Sequence, residues 1–185
     1  MPFQFNATIL TERLSLIPAT ATHVLAELRG NSAFGDLVHA VVPASWPPGE
    51  YNRDAQQYFL NSLNEAGEAG VGWFGWYAVR HADQHVPATL VGCGGYFGPP
   101  SVTGVVEIGY SVCPEWHGQG YATEMTRALV AHVTQHAAVS RVVAHTHADN
   151  SASMAVLWRC GFAQEIISDQ ADAWLFAWAP AQADG

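Results

Sequence analysis

The sequence predicts an α+β fold, a layered α/β arrangement built on a mixed sheet, and three observations carry that prediction. The chain has 185 residues of which 49% are hydrophobic, enough for one domain with a sizeable core and little room for a second. Three consecutive aromatic or β-branched runs, Trp73–Arg80, Thr89–Phe97 and Gly104–Cys113, are joined by turn-rich segments and read as an antiparallel meander. Two helical patterns interrupt the strands after that meander, which departs from the regular alternation of a doubly wound sheet.

Taken in order, Thr8 to Pro18 alternates around Leu10, Leu14 and Leu16 as an edge or first strand, closed by Pro18. Thr20 or Thr22 can cap a short helix through Arg29. Asn31 to Tyr51 contains Pro43, Pro47, Pro48 and Gly49 and is expected to be a long irregular segment, of the kind that often carries function. Asn52 to Glu65 places Ala55, Tyr58, Phe59 and Leu63 at helical spacing, and Gly67 and Gly70 end that helix. After the meander a glycine-containing turn leads into a helix with Ala122, Met125, Leu129 and Val133 on one face. Arg141–Thr146 reads as a strand and Asn150–Cys160 as a short helix stopped by Gly161. Gln164–Ile167 and Trp174–Trp178 read as closing strands. With no internal repeat or low-complexity linker, residues 1–185 form a single domain in this reading.

The charge balance narrows the function. Seven basic residues, all arginine, stand against 16 acidic ones, for a formal net charge of −9. Nucleic-acid and acidic-membrane binding need a basic footprint, so a polyanion partner is disfavoured, whereas a cationic one is attracted. Cys93, Cys113 and Cys160 are odd in number and far apart, which suits buried thiols in a reducing compartment better than disulfides or a thiolate metal site. No apolar run reaches membrane-spanning length and the first residues lack a basic signal region, so a soluble, cytoplasmic protein is expected.

The strongest local signal is His117-Gly118-Gln119-Gly120-Tyr121-Ala122 between a strand and a helix. Closely spaced glycines let the backbone approach a ligand, and the free N–H groups and dipole of a helix N-terminus favour an anion such as a phosphate or pyrophosphate without any lysine. The turn is neither a P-loop nor a G-x-G-x-x-G dinucleotide fingerprint, and an ordinary strand-to-helix turn is the plain alternative. Val106-Glu107-Ile108-Gly109-Tyr110-Ser111-Val112, followed by Pro114-Glu115-Trp116-His117-Gly118-Gln119-Gly120-Tyr121-Ala122-Thr123-Glu124, resembles the acetyl-CoA motif of the GNAT N-acetyltransferases, most of all their Rim-type ribosomal-protein branch. Asn150-Ser151-Ala152-Ser153, Val156 to Phe162 and the opening Thr11 to Leu16 extend the likeness over most of the chain.

The resemblance implies a mixed, mostly antiparallel sheet with helices on both faces and a splayed parallel strand pair holding the pantetheine arm of acetyl-CoA, the co-substrate. Ser111, Val112 and Cys113 occupy the arm's places, and the amides of Gly118, Gln119, Gly120, Tyr121, Ala122 and Thr123 those of the pyrophosphate. His117 stands where the family usually has Arg or Gln. Asn150 and Ser153 match further contacts to the arm, although Asn150 is equally an ordinary helix N-cap.

Acetyl transfer needs a neutral amine, a polarised thioester and a proton acceptor. By the same resemblance Glu107 is the base, against the plain reading of a solvated strand carboxylate, and a backbone N–H near Ser111 meets the developing oxyanion. The family's tyrosine acid is Leu157 here, with Ser153 and Cys160 as weak substitutes. Trp46, Trp76 and Tyr96 are candidates for the acceptor side, where aromatic faces attract cations, though most such residues serve as core. The acceptor is a primary amine, on a protein N-terminus or a small molecule, and the protein a monomer or a homodimer. Two other classes compete: a non-catalytic acyl-CoA-binding module, and a metal-dependent hydrolase using the H-x-H-x-D pattern of His145, His147 and Asp149.

Overall fold

A computed structural model describes residues 5–165 and 173–179. Its sheet has eight strands: β1 (Ile9–Leu10), β2 (Leu14–Pro18), β3 (Gly75–Arg80), β4 (Thr89–Tyr96), β5 (Val105–Val112), β6 (Arg141–His147), β7 (Ala163–Glu165) and β8 (Ala173–Trp178). They lie in the order β1-β2-β3-β4-β5-β6-β8-β7. Neighbours are antiparallel except β5 and β6, which run parallel. The expected mixed, mostly antiparallel sheet is therefore present. The first part of the closing strand at Gln164–Ile167 falls in β7, while residues 166 and 167 lie outside the described residues.

Alternation along the strands separates two cores. Trp76, Ala78, Val91, Tyr96, Val106 and Ile108 face α4 (Tyr121–Val133) and α5 (Ser151–Arg159), meeting Met125, Leu129 and Leu157. Tyr77, Val79, Leu90 and Cys93 face the other way, onto α1 (Ala21–Arg29), α2 (Asn31–Val38) and α3 (Arg53–Ala66). Helices thus cover both faces, as an apolar sheet requires.

Caps fix the helix starts. Thr20 and His23 close a reciprocal capping box on α1, and the Asn52 side chain accepts from the Asp54 and Ala55 amides of α3. The segment from Asn31 to Tyr51 is not irregular throughout: α2 occupies its first part. Gly35 and the polar start of α2 hide it from propensity, but Phe34 and Val38 are buried against Trp46 and Tyr77, and that tertiary packing sustains the helix. The remaining segment makes a cis Trp46–Pro47 bond and folds back over the end of β5. There Ser45 Oγ donates to Glu115, and a Cβ on Gly49 would stand 2.6 Å from Ser111 Oγ.

Candidate active site

The parallel pair opens a gap inside the sheet. β5 and β6 are in register only from Val105↔Arg141 to Glu107↔Val143, yet β5 continues to Val112 and β6 to His147. The ladder to β4 shows which backbone groups face the gap. Phe97 N–H donates to Glu107 O, and Cys113 N–H to Val91 O. Glu107, Gly109, Ser111 and Cys113 therefore turn their backbone towards β4, and Ile108, Tyr110 and Val112 turn theirs towards β6. The Ile108 N–H serves the last rung with Val143, so the open edge starts at the Ile108 carbonyl and runs through Tyr110 to the Val112 N–H. Ser111 itself lies opposite Cys93 in the ladder, so the gap-facing N–H groups near it are those of Tyr110 and Val112.

At the end of β5 the turn carries the positive φ angles that its glycines permit, 72° at Gly118 and 84° at Gly120. Gly120 is the N-cap of α4 and makes no side-chain cap, so the first amides of a 13-residue helix have no capping side chain. A Cβ on Gly118 would meet nothing within 4 Å. Arg13 ties the turn down by donating to Gln119 O and Glu124 Oε2. The His117 side chain folds back, its Nε2 2.7 Å from Val112 O.

A cleft of about 390 Å³ follows the gap. Along it, Glu107 Oε1 lies 2.8 Å from His145 Nδ1, bridging β5 and β6 where they separate. His147, two residues along the same face, has its Nε2 3.9 Å from Glu50 Oε1. Both imidazoles project to one side of β6, as their alternation predicts, but each pairs with a different carboxylate. Among the described residues no group of three His, Cys, Asp or Glu is placed to hold a metal ion, and the H-x-H-x-D reading has no ligand cluster behind it.

The other predicted residues are distributed as follows. Tyr110, Ser111, Asn150 and Ser153 line the cleft. Asn150 Oδ1 accepts from Ser153 N–H, the ordinary N-cap of α5, and Tyr110 Oη shares a hydrogen bond with Ser153 Oγ. Burial pushes the Tyr110 phenol up to about 12. Cys113 and Cys160 are buried, each thiol pushed by burial up to about 11, and Cys93 is buried beside them in character. Of the aromatic residues expected on the acceptor side, Trp76 is among the residues along the cleft, with its side chain buried. Trp76 and Tyr96 donate to Gly72 O and Leu129 O, and Trp46 donates its indole N–H to Glu27. The other aromatic residues along the cleft are Tyr51, Phe59, Tyr77, Phe97 and Tyr110.

Sequence reasoning also passed over Glu27, buried in α1, whose carboxylate accepts from Trp46, Tyr51, Gln56 and Tyr77. Its spacing of three from the buried Val24, on one helical face, was the available signal.

Comparison with known proteins places this geometry. A model of the acetyltransferase (GNAT) domain matches residues 13–163. The chain is 29% identical over 87 residues to the uncharacterized N-acetyltransferase YjdG of Bacillus subtilis, and the match spans about half of either protein: 47% of this chain and 52% of that relative. Among solved structures, the chain resembles the GNAT-family acetyltransferase of Bacillus anthracis with a TM-score of 0.60 at 18% identity, covering 94% of this chain and 98% of that one. It also resembles Mycobacterium smegmatis RimJ, solved with CoA-disulfide, with a TM-score of 0.62 at 19% identity, covering 97% and 90%. These likenesses establish the fold, and the domain match over residues 13–163 establishes kinship: the chain belongs to the GNAT acetyltransferase family.

Proposed function

We propose that the protein is an N-acetyltransferase that moves the acetyl group of acetyl-CoA to a primary amine, on a protein N-terminus or a small molecule, with Glu107 as general base. The observation that carries the reading is an open strand edge and a carboxylate in one cleft, with a glycine turn at an uncapped helix N-terminus following the end of the same strand. The residues fit the co-substrate. The Ile108 carbonyl, both backbone groups of Tyr110 and the Val112 N–H can bond the amides of the pantetheine arm as a neighbouring strand would, and the amides from Gly118 to Thr123 suit its pyrophosphate. Asn150 and Ser153 close the arm's other side. Bound there, acetyl-CoA supplies an electrophilic thioester carbonyl and a thiolate leaving group.

The chain's own residues manage the proton. An aliphatic amine is an ammonium ion near neutral pH and has no lone pair until it loses a proton. Glu107 lies on the face of β5 that looks into the acceptor half, with one oxygen held by His145 and no hydrogen bond to its other oxygen among the described residues. That second oxygen is available to take the proton directly or through one water. The gap-facing N–H groups of Tyr110 and Val112 are candidates to meet the oxyanion. No residue is assigned as acid for the thiolate. Leu157 is buried in the core and Cys160 Sγ is directed to Thr123 O.

The likeness to RimJ supports the Rim-type assignment. The test is Glu107→Gln. Its turnover with the best amine from a panel that includes N-terminal peptides falls by about 100-fold or more, within the range for losing acid–base catalysis, while acetyl-CoA still binds. Turnover equal to the parent protein removes Glu107 from the base role. Absence of CoA release with every amine favours a binding module over an enzyme.

A further inference from the structure

The Glu107 carboxylate has one held oxygen and one free oxygen, and a single residue makes that difference. Its Oε1 lies 2.8 Å from His145 Nδ1, and His145 is its only side-chain partner among the described residues. Neither Glu107 Oε2 nor His145 Nε2 has a hydrogen bond among those residues. Both side chains line the cleft, 41% of Glu107 and 45% of His145 being exposed. A base must be an ionised carboxylate, which only accepts, so Nδ1 carries the hydrogen of this bond and Nε2 keeps its lone pair while the ring is neutral.

The sheet does not depend on this contact. β5 is paired with β4 from Ile108 to Val112, and β6 with β8 from Val142 to His147. A pair this exposed adds little to stability. What it restricts is the carboxylate. The last rung between β5 and β6 is Glu107↔Val143, so His145 stands two residues beyond it on the diverging strand, and its ring reaches back to Glu107. Without that donor, a flexible glutamate beside an open gap rotates about its side-chain bonds, and the fraction of time in which it presents an oxygen to the acceptor falls. No arginine takes over: Arg141, the one arginine of β6, pairs with Glu165.

From this geometry we infer that His145 is the positioning residue of the reaction: its Nδ1–H fixes Oε1 of Glu107 and so aims Oε2 at the acceptor amine. The inference rests on the reading of Glu107 as general base and deepens it. The proton that the amine loses goes to Oε2, and none passes through the imidazole, because the Nδ1–H stays on His145 throughout. The effect of His145 therefore reaches the amine only through Glu107, and it belongs to the chemical step rather than to binding.

Two measurements on the full-length protein test this. The first needs no ligand. Nitrogen NMR of labelled histidine is recorded at alkaline pH, with the His145 signal assigned by its absence in His145→Asn. The parent protein shows the Nδ1–H tautomer, and Glu107→Ala returns the ring to the Nε2–H form that a free imidazole favours. The second is steady-state turnover with acetyl-CoA and the best amine of the panel. His145→Ala lowers kcat by about tenfold or more and leaves KM for the amine and acetyl-CoA affinity as in the parent protein. His145→Asn puts an amide N–H near the place of the Nδ1–H and recovers most of that loss, which a proton-carrying role for the ring does not allow. In the Glu107→Gln background, where no base remains to be aimed, adding His145→Ala costs no further turnover.

An Nε2–H ring in the parent protein overturns the inference, and so does parent-level kcat in His145→Ala. It is equally overturned by no recovery in His145→Asn, or by a His145→Ala loss as large in the Glu107→Gln background as in the parent. If His145→Ala does not fold, the tautomers of the parent protein and of Glu107→Ala decide the matter. Turnover that collapses in Glu107→Gln but persists in His145→Ala fails the inference alone. Parent-level turnover in Glu107→Gln fails the base reading, and the inference with it.

Discussion

The two halves of the cleft are made of different material. The half proposed for the co-substrate is backbone: an open strand edge from the Ile108 carbonyl through Tyr110 and, past the end of that strand, amides after two glycines with positive φ. Almost everything it needs comes from residues 105–123, which are continuous in the chain. The half proposed for the acceptor is side chains drawn from α1, the proline-rich loop, α3 and β3, gathered around Glu27 by four hydrogen bonds that span 19 to 50 positions in sequence. A site of local backbone geometry tolerates change in side chains but not in glycines. A site of converging side chains has the opposite sensitivity.

The largest test of that contrast is at the turn. Gly120→Val puts a β-branched side chain at φ 84°, with its Cβ 3.4 Å from Arg13 Nη2. Strain of about 1–3 kcal/mol is expected at such a position, and acetyl-CoA affinity in a calorimetric titration drops by about tenfold or more. Retained affinity would show that the pyrophosphate does not depend on this backbone. Tyr77→Phe examines the other half. It removes one hydrogen bond to a buried carboxylate, about 1.5–3 kcal/mol, which urea unfolding reads as lost stability, while acetyl-CoA affinity is unchanged. Equal loss of co-substrate binding would mean that the halves are not separate.

A smaller effect joins them to the protein's periphery. Glu124 follows the turn in α4; burial pushes its pKa up, but bonds from the Thr11 hydroxyl, the Arg13 N–H and the Arg13 guanidinium outweigh this and hold it below the ordinary carboxylate range. A carboxyl with a depressed folded-state pKa stabilises the fold above its unfolded pKa, and loses that contribution as pH falls through the folded value. Glu124→Gln is therefore less stable than the parent protein at neutral pH. The gap in melting temperature narrows as the pH drops below the normal carboxylate titration, and a gap independent of pH would contradict the assignment.

The same contrast explains what reading the chain could and could not reach. The meander, the glycine turn, the helix after it and the Asn150 cap are local patterns of period two, period 3.6 or single-residue chemistry, and they stand where the sequence puts them. Helix α2 escaped because its stability comes from Phe34 and Val38 docking on Trp46 and Tyr77, not from its own residues. Trp46, Trp76 and Tyr96 share a residue type with Tyr51 and Phe97, and only packing decides that Trp46 and Tyr96 lie in the core while Trp76, Tyr51 and Phe97 come to the cleft.

By itself the sequence determined the α+β class, the glycine turn before α4, the lysine-free acidic balance and the strand that carries Glu107, because each depends on neighbouring residues or on simple sums. Tertiary structure decided which backbone groups of β5 face the gap, since ladder parity is fixed by β4. It joined Glu107 to His145 across two strands that separate, and it buried Glu27 under the acceptor wall. Those three outcomes arise from contacts between segments distant in the chain, which local periodicity does not encode.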